Sequence, residues 1–284
     1  MKLLIEHNGG LGDAIIDTAF IKKLKEKHPK YEIDLFTYFD NAEIFYSASY
    51  LKTIIPAPKN YNHINISDQL KNAYDKHICI TGLLSWAFFT KQKGLFQQRS
   101  ELYNVEASPN DMEILLDNDK LPDDIFKDFT TSVVFSAPKN EQLMSGKTIN
   151  KKVWEQIFDT YKDIVFLQIG SKDYDLEFEE RDNVINLMDQ ISIRQALSSI
   201  PMATFVIGCD NFLNHASRVF KKKGLFLWGA NDPKQYGWEQ NINLYNKRHC
   251  SPCLTSHKDH TCCFSEGIDN IPFDEIKIAI EELR

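Results

Sequence analysis

The chain has 284 residues, 43% of them hydrophobic and 26% charged, with a formal net charge of −7 at pH 7. That composition suits a globular protein long enough for one large or two ordinary domains, and it argues against a nucleic-acid binder, which would carry a basic face. Lysines do gather at Lys22, Lys23, Lys25 and Lys27 and again at Lys221 to Lys223, but the second group falls at a predicted helix C-terminus, where cations are ordinary.

The first element is a predicted strand, KLLIEH (2–7). Its apolar run of about four residues is too short for the core of a secretory signal, and no stretch approaches the ~18 apolar residues of a membrane span. The expectation is a cytoplasmic protein. A glycine-rich turn, HNGGLGD (7–13), leads into a helical pattern over 14–27, with Ile15, Ile16, Ala19, Phe20 and Leu24 apolar. YEIDLFTY (31–38) and KHICITGL (76–83) read as further strands. LLSWAFFTKQKGLF (83–96), aromatic and interrupted by two lysines, reads as a buried helix and turn, or as a surface that docks a lipid-linked molecule at a membrane.

Residues 117–130 are acidic, contain Pro122 and break the pattern, which places a domain boundary there, giving domains 1–127 and 128–284. The alternation then restarts: SVVFSA (132–137), a helix around 151–161, DIVFLQIG (163–170), NVINL (183–187), a helix over 192–200, TFVIGCD (204–210), a helix over 211–222 and GLFLWG (224–229). The tail PFDEIKIAIEELR (272–284) has a helical apolar period and is expected to pack back across the first domain. Strands alternating with helices imply mainly parallel sheets, whose ligands bind beyond the strand C-termini.

Two loops carry the chemistry. A dinucleotide fingerprint needs G-x-G-x-x-G; Gly10 and Gly12 fit the first two positions, but Ile15 takes the third. Asp13 would also repel a pyrophosphate there. A carboxylate at a strand's C-terminal end can instead accept a proton, or it can simply cap the helix. In the second half, a strand ending at Cys209-Asp210 runs straight into a helix. Its first-turn N–H groups around Asn211, Phe212, Leu213 and Asn214 make an anion site favourable to a diphosphate. His215 lies one turn in, and Asp210 can accept from sugar hydroxyls. Helix capping by Asp210 and Asn211, with His215 as a packed polar residue, is the alternative.

Of six cysteines, Cys79 and Cys209 sit in strand-like runs. Cys250, Cys253, Cys262 and Cys263 are crowded together with His249, His257 and His260 close by. One C-x-x-C knuckle followed by two adjacent cysteines fits a structural zinc or iron site less well than two knuckles would, so free thiols or a partial disulfide remain open.

Taken in order, these motifs resemble glycosyltransferase family 9, the lipopolysaccharide heptosyltransferases. The family's G-D-x-[IV]-x-x-T-P reads here Gly12-Asp13-Ala14-Ile15-Ile16-Asp17-Thr18-Ala19, with Ala for Pro. A K-x-x-x-P helix end and an I-D-x-x-T strand are matched by Lys25 to Pro29 and Ile33 to Thr37. K-x-W-P-x-x-x-W keeps Lys147 and Trp154. D-[ST]-G-x-x-H is matched by Asp210 and His215, with Asn211 and Phe212 between, and G-x-x-D-P is intact from Gly229 to Pro233.

The resemblance implies the GT-B fold, two Rossmann-like domains facing a cleft. The first would receive a saccharide or lipid-linked acceptor and the second a nucleotide-sugar, with peripheral contact at the inner membrane. It implies Asp13 as catalytic base on the acceptor-side loop of Gly10 and Gly12. Lys147, Asp210 and His215 would bind the donor, with Asp173 as a candidate for its ribose. Inverting, metal-independent transfer of heptose from ADP-heptose is the implied reaction. A nucleotide-sugar epimerase and a catalytically silent nucleotide-binding protein are the rivals.

Overall fold

The computed structural model describes residues 1–58, 68–80, 94–117, 119–122, 125, 130–139, 147–229, 231–247 and 268–284. The chain forms two compact units, Met1–Asp117 and Asn118–Arg284. The division lies at the start of the acidic stretch in which the sequence placed it after residue 127.

The first unit runs β1 (Lys2–His7), α1 (Leu11–Lys27), β2 (Glu32–Tyr38), α2 (Phe39–Phe45), β3 (Thr53–Ala57), α3 (Asp68–Asn72), β4 (Lys76–Cys79) and α4 (Leu95–Tyr103). Its four strands are parallel in the order β3-β2-β1-β4. Leu3, Leu4 and Ile5 of β1 are fully buried, as expected for a central strand covered on both faces. The chain builds outward from β1 to β3 on one side and returns with β4 on the other. The carboxyl end of β1 is therefore a topological switch point, where ligands bind in open α/β sheets. Helix α1 buries Ala14, Ile15, Ile16, Ala19, Phe20, Ile21 and Leu24, and among them the polar Asp17 and Thr18. Phe20 receives α4, with ring centroids 5.2 Å from Phe96 and 5.8 Å from Tyr103. That contact sets Arg99 beside α1. Asn104 ends α4 at φ 53°, a left-handed cap that Asn tolerates.

The second unit runs β5 (Thr131–Phe135), α5 (Lys151–Thr160), β6 (Ile164–Gln168), β7 (Val184–Asn186), α6 (Ile193–Met202), β8 (Phe205–Cys209), α7 (Phe212–Val219), β9 (Gly224–Trp228), α8 (Pro233–Tyr236), β10 (Ile242–Tyr245) and α9 (Phe273–Leu283). Six parallel strands stand in the order β10-β9-β8-β5-β6-β7. This is the Rossmann order, with the unit's first and fourth strands, β5 and β8, side by side at the switch point. Phe135, Trp154, Phe158 and Phe166 form its aromatic centre, Phe135 lying 4.8 Å from Trp154 and 5.3 Å from Phe158.

The tail helix is built into the second unit. Ile276, Ala279 and Ile280 of α9 join the core that holds Phe158, Leu225 and Leu227. Its apolar stripe is thus buried within the second unit. The elements α2, β3, α3, α4, α8 and β10 were not anticipated. No helix among the described residues is long and apolar enough to cross a membrane.

Ile280 is fully buried and Ile278 is 68% exposed on the same helix. Ile280→Ala should lower unfolding free energy by about 2–5 kcal/mol, and Ile278→Ala by less than about 0.5 kcal/mol. Urea unfolding of both variants checks this; equal losses would contradict the placement of α9.

Candidate functional site

At the end of β1 the chain turns through Gly9 and Gly10 into α1, with Gly10 as N-cap. Asp13 stands in the first turn, and its Oδ2 accepts from the Gly10 N–H at 3.1 Å. The capping reading is therefore met, as the carboxylate half of a capping box. A Cβ on Gly9 would lie 2.8 Å from Asp13 Cβ, so the glycine is there because the aspartate packs against it.

Capping engages one oxygen. The other, Asp13 Oδ1, accepts from Arg99 Nη2 at 2.5 Å, while Arg99 Nε donates to Asp17 Oδ1 at 2.6 Å. Asp17 Oδ2 also accepts from the Tyr103 hydroxyl at 3.2 Å and lies 3.3 Å from His7 Nε2. His7 Nδ1 in turn has Thr37 Oγ1 and Asn41 Nδ2 each 3.4 Å away. The side chains of His7 and Asp17 are 0% exposed and that of Arg99 is 5% exposed, whereas Asp13 is 25% exposed. Asp13 is thus the end at which this buried network meets solvent.

Burial works against the charge of Asp17, but the Arg99 guanidinium and the hydrogen bond with His7 outweigh it and hold the carboxyl below its ordinary value. Burial likewise opposes the charge of Arg99, and the carboxylates of Asp17 and Asp13 push its pKa up. Burial raises the Tyr103 phenol, and Asp17 adds to the effect, so Tyr103 stays a neutral donor.

In the second unit, Ser136 follows β5 while Asp210 and Asn211 follow β8. Asn211 caps α7: its Oδ1 accepts from the Leu213 N–H at 3.0 Å and its Nδ2 donates to Ser136 Oγ at 3.3 Å. Asp210 Oδ2 takes the Lys147 ammonium at 2.9 Å and the Asn231 amide. The Cys209 thiol, raised in pKa by burial, donates to the Lys147 carbonyl at 2.7 Å. His215 is 7% exposed and meets Trp238 edge to face at 5.7 Å. Phe212 is half-buried in the first turn. Leu213 is fully buried, and Asn214 donates to the Tyr236 carbonyl at 2.8 Å, so both side chains serve packing.

Asp173 is exposed. The carboxylate that faces the switch point is Asp175, 5% exposed, accepting from Ser136 Oγ and the Ser171 N–H at 3.1 Å each. Burial pushes its carboxyl up to about 6. Gly170 makes room for it: φ is +136°, and a Cβ there would lie 2.2 Å from Asp175 Oδ2. Ser136 thereby links Asp175 to the N-cap of α7. The sequence missed Asp17, Arg99, His7 and Asp175. Cys250, Cys253, Cys262 and Cys263 lie outside the described residues, as does most of 83–96. Among the described residues no three His, Cys, Asp or Glu are grouped to hold a metal.

No family model matches the sequence, and no curated protein matches it. The fold is matched by solved structures. A family 9 glycosyltransferase from Veillonella parvula DSM 2008 superposes with a TM-score of 0.74 at 14% identity, over 99% of this chain and 96% of that one. The heptosyltransferase WaaC of E. coli, solved with ADP, gives 0.66 at 16% identity over 100% of both chains. The iron-containing dodecameric glycosyltransferase TibC of enterotoxigenic E. coli H10407 gives 0.72 at 13% identity, over 99% of this chain and 75% of that one. The chain therefore has the GT-B fold that these glycosyltransferases share, with one Rossmann-like half in each unit.

Removing the carboxylate of Asp17 leaves Arg99 buried with one partner fewer, and Asp17→Asn should cost about 3 kcal/mol at pH 7. Because the folded-state pKa is lowered, this stabilisation is present above the ordinary carboxylate value of about 3.9 and is lost as pH falls through the folded one. Urea unfolding should show a steady gap between wild type and variant from pH 6 to 8 that narrows below about pH 4. A gap at pH 3 as wide as at pH 7 would contradict the ionised pair.

Proposed function

We propose that the protein is an inverting, metal-independent glycosyltransferase. It would move heptose or a related sugar from a nucleotide-sugar to a hydroxyl of a saccharide acceptor, such as the core of a lipopolysaccharide. The observation that carries this reading is Asp13, the solvent-reaching end of a buried ion network at the carboxyl end of β1. Glycosyltransferases that share the fold support it, among them WaaC solved with ADP and TibC solved with ADP-D-beta-D-heptose. They favour ADP-heptose as donor.

A sugar hydroxyl is a weak nucleophile, and an aligned base that takes its proton contributes about 10²–10⁴-fold. A carboxylate has about four acceptor directions. Gly10 and Arg99 occupy two at Asp13, leaving room for the acceptor hydroxyl. The deprotonated oxygen attacks the anomeric carbon, the bond from that carbon to the diphosphate oxygen breaks, and the configuration inverts. The proton stays on Asp13, and the charge collects on the nucleoside diphosphate. Lys147 and the amide end of α7 stabilise that charge, with Asp210 and His215 lining the donor.

The reaction so written uses no metal, and a zinc or iron at the four late cysteines would be structural. A lipid-linked acceptor would bring the protein to the inner face of a membrane.

Thermal shift with ADP, UDP, GDP and CMP tests the donor half. Ligand at ~100 times its dissociation constant adds about 2.7 kcal/mol, and ADP is expected to give the shift. Lys147→Ala should reduce it. Asp13→Asn should keep it while lowering ADP-heptose turnover about 10²–10⁴-fold. A shift with UDP or GDP instead would change the sugar class, and turnover unharmed by Asp13→Asn would remove the base assignment. Nucleotide binding without any turnover would favour a catalytically silent protein, a reading to which Phe212 in the first turn of α7 lends weight.

A further inference from the structure

Arg99 belongs to no motif, yet its guanidinium is the cation against Asp13. It is 5% exposed and spans two carboxylates one helical turn apart, with Nε on Asp17 at 2.6 Å and Nη2 on Asp13 at 2.5 Å. The Asp17 end is the anchor. That carboxylate is fully buried, bonded by the Tyr103 hydroxyl and flanked by His7, and α4 itself is fixed by Phe96 and Tyr103 against Phe20. The Asp13 end is the one that reaches solvent.

We propose that Arg99 is the positioning residue for Asp13. Locked by Asp17, it fixes the rotamer of the Asp13 carboxylate and so the direction in which that carboxylate meets an acceptor hydroxyl. The proposal rests on Asp13 being the base. A planar fork is what the task requires, because Nε and Nη2 point in set directions toward two acceptors, whereas an ammonium is a point charge on a flexible stem. An aspartate without such an anchor samples several χ1 wells and a broad χ2. A misplacement of about 1 Å at a reacting group can cost about 10²-fold in rate.

Arg99→Lys keeps a buried cation and loses the fork; Arg99→Gln is the second variant should the lysine form fail to fold. The first readout is the Gly10 amide proton in ¹H–¹⁵N NMR, since that N–H donates to Asp13 Oδ2. Release of Asp13 should move the Gly10 resonance upfield while the amides of Phe20 and Tyr103 stay in place. The second is ADP release from ADP-heptose. Arg99→Lys should lower kcat about 10- to 100-fold with the donor KM within about twofold, the loss expected from misalignment. In an Asp13→Asn background it should add nothing, because it acts through Asp13. An unmoved Gly10 resonance, or a further full loss on top of Asp13→Asn, would overturn the proposal. Absence of turnover in the wild type would instead remove the base reading, and the NMR comparison would still decide whether Arg99 fixes Asp13.

Discussion

Two carboxylates one turn apart on a buried helix face repel each other and resist desolvation, and Arg99 is what makes that arrangement tolerable at Asp13 and Asp17. The constraint reaches outward. It needs α4 packed on α1 through Phe20, Phe96 and Tyr103, and it needs Gly9 without a side chain where Asp13 presses in. It also sets what fills the loop. Two carboxylates share one guanidinium at the amino end of α1, and Asp13 itself answers the helix dipole and the Gly10 N–H. A glycine-rich strand-to-helix turn would ordinarily cradle a phosphate. This one is filled by its own carboxylate.

The second unit uses the same device with the opposite electrostatics. At the carboxyl end of β8 the cap of α7 is a neutral Asn211, and the nearby Asp210 is met by Lys147 and Asn231. No acidic residue stands in the first turn of α7, so nothing within that turn offsets the positive end of the helix dipole. It sits at the β5–β8 switch point of a Rossmann-ordered sheet, with Ser136 and Asp175 behind the cap. In the proposed reaction the first unit would supply a carboxylate to take a proton and the second a positive helix end to hold a diphosphate. That division of charge is what a sugar transfer from a nucleotide donor requires.

Much of this was legible. Alternation of period 2 and period 3.6 located most strands and helices within a few residues, and the failure of the third glycine at Ile15 left Asp13 as the distinctive residue of the first loop. Arg99 was not legible, because it lies 86 residues from Asp13 on a helix with no strong pattern. Asp17 offered the missing signal: a charge inside an otherwise apolar stretch, four residues after another acid, demands a cation from elsewhere. In the G-S-K-D-Y-D turn, nothing local says which aspartate points inward; the open space at Gly170 selects Asp175.

The most direct measurement is a crystal structure of the protein grown with ADP. The diphosphate should lie on the first-turn amides of α7, with Lys147 Nζ turned from Asp210 to the phosphate oxygens, while Arg99 still bridges Asp13 and Asp17. A diphosphate seated on the Gly10–Asp13 loop, with Arg99 drawn away from Asp13, would contradict the division of charge on which the proposed reaction depends.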